Sequence, residues 1–404
     1  RDALERFPDL EDRLETIPPG INFDRFDPAV VRADRLIRLA GELRVPDGQP
    51  LVLWPGRFTE DNGQKVLIEA IKRMERDDVF CLLLGSTGAP TPFEKELEAA
   101  IVAAGLQGRV QIGPYVDDMP AAYMLADAVV LGVPTWRTSL SPTGAHATPA
   151  AIREALRRYS PTLMGPPIVD LNAVLQISDA GDVHEPDGDE GVARTIARVS
   201  QLAAASRLVI ALGGDNSLTY PVALGSGSTG LITIDAHFDL RDGVSNGSPV
   251  RRLVEDAPEG SAIDPHRIVQ IGIADFANSA AYAQRAADWG IRVITLDEVR
   301  RRGIDDVVAE AVEIAGAGDA SRVHLDIDVD ACDRAATPGC PASVPGGFAA
   351  WELRALVRGI AGDPRVVSAD IAEVDATADD EDARTVRLAA LCVLELLAAL
   401  AGRA

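Results

Sequence analysis

Three short acidic motifs each stand directly behind a run of apolar residues. Leu208-Val209-Ile210-Ala211-Leu212 precedes Gly213-Gly214-Asp215-Asn216-Ser217. Leu231-Ile232-Thr233-Ile234 precedes Asp235-Ala236-His237-Phe238-Asp239-Leu240-Arg241. Val323-His324-Leu325 precedes Asp326-Ile327-Asp328-Val329-Asp330-Ala331-Cys332-Asp333. Short, continuous apolar runs are what strands buried on both faces require, and such strands build parallel sheets. In a parallel sheet, residues just past the strand C-termini share one crevice. Helical periodicity between the runs, as in Ile68 to Arg76, Pro149 to Arg158 and Ile304 to Ile314, completes an α/β pattern.

The crevice chemistry follows from the spacing. Asp235, His237 and Asp239 alternate, as do Asp328 and Asp330, so in extended segments each set points to one side. Carboxylates gathered around one imidazole repel unless a cation neutralises them. An oxygen-rich ligand set with one nitrogen suits a hard divalent ion such as manganese. The number of carboxylates is enough for two ions. His146, His184, His266 and His324 read as surface or satisfied core histidines, Cys332 as packing, and Asp379 to Asp382 as a solvated loop.

The formal charge of −23 makes the chain a poor ligand for nucleic acid or an anionic membrane surface. The apolar run Leu388 to Ala401 is interrupted by Glu395 and is short for a membrane span, so it is expected to be a buried helix. Cys81, Cys332, Cys340 and Cys392 form no CxxC pair, and the first residues form no apolar signal segment. Reduced thiols in a cytoplasmic protein are expected.

From about residue 127 to 404 the sequence resembles the ureohydrolase family, which contains arginase, agmatinase and formimidoylglutamase. The resemblance rests on Ser139-Leu140-Ser141-Pro142-Thr143-Gly144-Ala145, Pro149 to Glu154, Gly181-Asp182-Val183, the three motifs above, Pro338-Gly339, Pro345-Gly346-Gly347 and Asp370-Ile371-Ala372-Glu373-Val374. It implies a three-layer α/β/α domain with a mostly parallel sheet, and a trimer or hexamer. It implies two manganese ions, bridged by Asp235 and Asp328, with Asp239 completing one shell and His237 and Asp330 the other. It gives Asp239 the proton transfer and Glu373 the substrate amidinium. Two positions depart from the family. Asn216 replaces a metal-binding histidine, and an amide oxygen is the weaker ligand. Asn246, in Ser245-Asn246-Gly247-Ser248-Pro249, replaces a proton-shuttling histidine. Asp326 stands where the family has a small hydroxyl residue, and is expected to cap or to face away.

Residues 1–126 are different. Ile17-Pro18-Pro19-Gly20-Ile21-Asn22, then Leu53-Trp54-Pro55-Gly56-Arg57-Phe58, Gly63-Gln64, Arg109-Val110 and Asp118 to Tyr123 resemble the C-terminal half of a GT-B glycosyltransferase. Arg57 matches the phosphate-binding arginine, but Asn62 stands where a lysine belongs, and the later nucleotide-sugar motif is missing. This segment reads as a partial Rossmann-like unit, dispensable for hydrolysis. Ala126 to Leu131 fits either family as a strand. The expected activity is dimanganese hydrolysis of a linear amidine C–N bond. N-formimidoyl-L-glutamate is the expected substrate, with Arg241, Arg251 and Arg252 available for its carboxylates and Asn246 and Glu373 beside it. Alternatives are a guanidine hydrolase of the agmatinase or arginase type, a nucleotide-sugar glycosyltransferase, and a metal-depleted scaffold.

Overall fold

The computed structural model describes residues 39, 43, 51–74, 79–86, 90–116, 127–204, 206–319 and 321–403. The segments Ile17 to Asn22 and Asp118 to Tyr123 lie outside these residues. Strands β1 (Leu51–Pro55), β2 (Phe80–Ser86) and β3 (Val110–Pro114) form a parallel sheet in the order β1-β2-β3. The amphipathic helix Gln64–Arg73 buries Ile68 and Ile71, and Pro92–Ala103 buries Leu97 and Ile101 against the same sheet. Thr91 and Glu94 close a capping box on the second helix, satisfying donors its first turn would otherwise leave open.

The larger unit is built on an eight-stranded sheet. Its strands are β4 (Ala128–Val133), β7 (Ile177–Asp182), β8 (Leu208–Gly213), β9 (Gly230–Ile234), β10 (Ile268–Ile273), β11 (Arg292–Thr295), β12 (Val323–Asp328) and β13 (Val366–Ala372). A small antiparallel pair, β5 (Thr162–Leu163) and β6 (Val169–Asp170), lies outside it. The order is β11-β10-β9-β12-β13-β8-β4-β7, and every pair is parallel. Alternate side chains leave the sheet on opposite faces: Ile232, Ile234, Leu325 and Ile327 enter one cluster, while on the other face Val209 and Ala211 enter a second and Leu231 a third. Helices cover both faces, which is the three-layer arrangement the sequence implies. The apolar C-terminal run forms the helix Arg384–Gly402, the one described helix long and apolar enough to cross a membrane, and it is mostly buried in the protein. Asp379 is not a free loop acid. It accepts from Thr385 and Val386 and so anchors the start of that helix.

The structure resolves which sheet owns the ambiguous strand. Ala128–Val133 pairs with β7 and β8, so it is the first strand of the large sheet. The preceding segment is nevertheless not separate. Leu51, Leu53, Leu82 and Leu84 share one apolar cluster with Val129, Leu131, Val133 and Leu202. The Leu51 N–H also donates to Gln176 Oε1 at 3.0 Å. Each fully buried aliphatic side chain contributes about 1.5–3 kcal/mol. A chain beginning at Asp127 should therefore keep its crevice but melt at least about 5 °C lower. Calorimetry on both forms measures this, and equal melting temperatures would show that the shared cluster adds nothing.

Candidate metal centre

The acidic motifs sit on four adjacent central strands, β9, β12, β13 and β8. Each polypeptide turns as it leaves its strand, and the turns, more than simple alternation, gather the side chains. Asp328 ends β12 and its carboxylate accepts the Asp330 N–H at 2.8 Å, opening a short 3-10 turn over Val329–Ala331 that swings Asp330 inward. The Asp330 carboxylate takes the Ala236 N–H at 3.2 Å. Past β9, Asp235 accepts the His237 N–H at 2.6 Å, and Asp239 has φ 52°. Glu373, just past β13, has φ 60°. Left-handed backbone at a non-glycine residue is strained and persists where its surroundings fix it. For Glu373 the fixing bond is N–H to Gly214 O, 2.9 Å. Gly214 must be glycine, since a Cβ there would lie 1.9 Å from Thr135 O.

Two groups of donor atoms result, each within 4.8 Å: Asp235, His237 and Asp330, and Asp235, Asp239 and Asp328. All the carboxylates are buried. Burial, then Asp330 and Asp239, pushes Asp235 well above the carboxylate range. Burial and Asp330 do the same to Asp328. Burial raises Asp239 to about 7, against the pull of His237. Burial alone would lower His237, but Asp330, 2.7 Å from its Nδ1, outweighs it, and the imidazole rises to about 10. Burial opposes ionisation of Asp330 as well, and His237 overrides it and holds Asp330 below its ordinary value. Buried Asp235 Oδ2 has no hydrogen-bond partner. An acceptor with no donor, in a cluster of carboxylates that cannot all ionise, is the chemistry a divalent cation completes.

Asn216 bonds directly to the acids of the centre. Its Nδ2 donates to Asp239 Oδ2 at 2.7 Å, while Oδ1 accepts from Thr219 Oγ1 at 2.6 Å. Its backbone N–H donates to Glu373 Oε1 at 2.8 Å. Asn246 Nδ2 donates to the same oxygen at 2.8 Å. Burial and Asp215 still raise Glu373 to about 8. Asp326 does not face away. It lies in register with Asp370, fully buried on the same strand face as Asp328, and burial with Asp370 pushes it well above its ordinary value. His324 is a satisfied core residue, 2.8 Å from Ser368 Oγ and 3.0 Å from Asp370 Oδ2.

A cavity of about 380 Å³ opens over the centre, lined among others by Leu140, Ser141, Arg241, Asn246, Tyr282 and Glu373. Of the three arginines expected near it, Arg241 alone lines it, with its guanidinium 5.9 Å from the Tyr282 ring centre. Arg251 is folded back onto Asp256 at 2.8 Å, and Arg252 lies buried 3.8 Å over the Tyr220 ring. Asn278 and Tyr282 had no motif to announce them. Asn278 accepts the Phe238 N–H and donates to Ala236 O, clamping the loop that carries His237. Its only signal was its place just past β10, beside β9.

The raised groups carry protons at neutral pH that a cation must displace. Loading divalent metal at pH 7 should release protons, and affinity should rise as pH climbs towards 10, where His237 loses its proton. Calorimetric titration in buffers of different ionisation enthalpy measures the release; a heat independent of buffer would contradict it.

Residues 126–399 match the Arginase family model, and residues 38–135 match that of Glycosyl transferases group 1. A formimidoylglutamase from Halalkalibacterium halodurans is 36% identical over 281 residues, covering 66% of this chain and 85% of the relative. The crystal structure of formimidoylglutamase from Bacillus subtilis superposes with a TM-score of 0.63 at 30% identity, covering 68% of this chain and 87% of that one. Trypanosoma cruzi formiminoglutamase with Mn2+2 superposes with a TM-score of 0.61 at 27% identity, covering 69% and 95%. With its central strands, its acidic loops and its sequence all in agreement, the chain belongs to the arginase family.

Proposed function

We propose that this chain hydrolyses the C–N bond of a linear amidine, N-formimidoyl-L-glutamate, to L-glutamate and formamide, and that residues 127–404 are the unit that does so. The observation that carries the reading is the pair of carboxylate-rich groups sharing Asp235 beneath a cavity walled by Glu373. Asp235, His237, Asp239, Asp328 and Asp330 would hold two divalent ions, manganese first among them. Such ions lower the pKa of a water towards neutrality and polarise the amidine. Glu373 Oε1 is taken up by the Asn216 and Asn246 donors, which leaves Oε2 to accept an N–H of the cationic amidine. Asp239, held by Asn216, is placed to take the proton of the attacking water and pass it to the leaving nitrogen.

Substrate choice rests on Arg241. It lines the cavity, and among the described residues no carboxylate lies within ion-pair distance of its guanidinium, although its charge favours ionised Asp239, so a substrate carboxylate can supply the forked partner. A guanidinium fork fits a carboxylate and repels the ammonium of agmatine. The relatives named formimidoylglutamase support the same choice. Arg241→Ala should raise KM for formimidoylglutamate by roughly tenfold or more and leave metal content unchanged. Faster turnover of agmatine or arginine by the parent protein would overturn the substrate.

Asn216 directs its nitrogen at Asp239, so the ion served by Asp239 lacks a ligand that an imidazole would give. Titrating manganese into metal-free protein should show two unequal affinities, and Asn216→His should tighten the weaker. Two equal, tight sites in the parent would count against this.

A further inference from the structure

Asn246 stands where the family resemblance expects a proton shuttle, and an amide exchanges no proton in the working pH range. Its contacts give it other work. The Asn246 Oδ1 accepts the Leu140 N–H at 3.0 Å, and its own backbone N–H reaches Thr138 O at 3.3 Å. The Nδ2 end donates to Glu373 Oε1 at 2.8 Å. Leu140 and Ser141 form one wall of the cavity and Glu373 another. One half-buried side chain therefore ties the loop that carries Leu140 and Ser141 to Glu373.

Glu373 needs such a tie. Its backbone is left-handed, its carboxyl is buried, and burial opposes its charge. Two N–H donors on Oε1 stabilise the ionised form and fix which oxygen faces the cavity. Losing one leaves the carboxylate with a single donor and free to turn. Preset geometry at an anchoring acid is worth a large factor in binding, because disorder there is paid for each time substrate docks.

We infer that Asn246 is a positioning residue that holds Glu373 and the Thr138–Ser141 wall as one unit and so sets the orientation in which a cationic amidine is received. The inference rests on the hydrolase reading above for its kinetic consequence. It acts on substrate capture and not on proton transfer, so it separates KM from kcat.

Two variants of the full, manganese-loaded chain divide the arms. Asn246→Ala removes both. Asn246→Asp keeps an acceptor for the Leu140 N–H but loses the donor to Glu373. Both should raise KM for the amidine roughly tenfold or more and change kcat less than about threefold, with metal content unchanged. Amide hydrogen exchange over residues 136–143 should quicken in Asn246→Ala and stay at the parent rate in Asn246→Asp. If Asn246→Ala does not fold, Asn246→Asp still carries the kinetic test. Parent-like KM in Asn246→Asp, or a fall confined to kcat, overturns the inference. Should the parent hydrolyse no amidine or guanidine, the function reading fails on its own. The exchange comparison then decides the tie, and parent-like exchange in Asn246→Ala rejects it.

Discussion

Mutual repulsion among buried carboxylates is the constraint around which this chain is arranged. Asp235 lies within 4.8 Å of Asp330 on one side and of Asp239 and Asp328 on the other, and all four carboxylates are buried. Nothing local favours that. It is enforced by four central strands whose hydrogen-bond ladders and two apolar faces fix where each chain segment leaves the sheet. The scaffold's stability thus holds an arrangement that is unfavourable by itself and that a cation would relieve, as in preorganised electrostatic sites.

Much of this was legible in residue order. Apolar runs of three to five residues announced parallel strands, and the acids behind them announced a crevice. What escaped was whatever depends on turns and on partner choice. Alternation put Asp328 and Asp330 on one side of an extended segment, whereas a 3-10 turn is what brings Asp330 to His237. Asn216 presents nitrogen because Thr219, one turn on, occupies its oxygen. Arg251 and Arg252 follow Arg241 in the same loop-and-helix stretch, but the helix Pro249–Glu255 carries them to Asp256 and Tyr220. Asp326 faced the crevice side because β12 keeps its period of two without interruption from His324 to Asp328.

The departures from the family pattern have a common character. At Asn216 and Asn246 a group that can bind metal or move protons is replaced by one that can do neither well, but that donates and accepts at fixed positions. The Asn216 side chain donates to Asp239 and the Asn246 side chain to Glu373, whose Oε1 also accepts the Asn216 backbone N–H. Neither amide changes its own charge with pH, so both keep donating to Glu373 and Asp239 whenever those acids are ionised.

Strand β4 is claimed by two sequence families at once, since the matches overlap over residues 126–135. In this chain the stretch is a continuous apolar strand, Ala128–Val133, fully buried and paired in parallel on both sides. A crossover between unrelated genes placed in such a strand breaks no turn, splits no helix and leaves no ladder unpaired, because the incoming half meets residues its own ancestor would have supplied. Buried parallel strands are in this sense interchangeable parts, and the joint between two ancestries can vanish into the middle of a sheet.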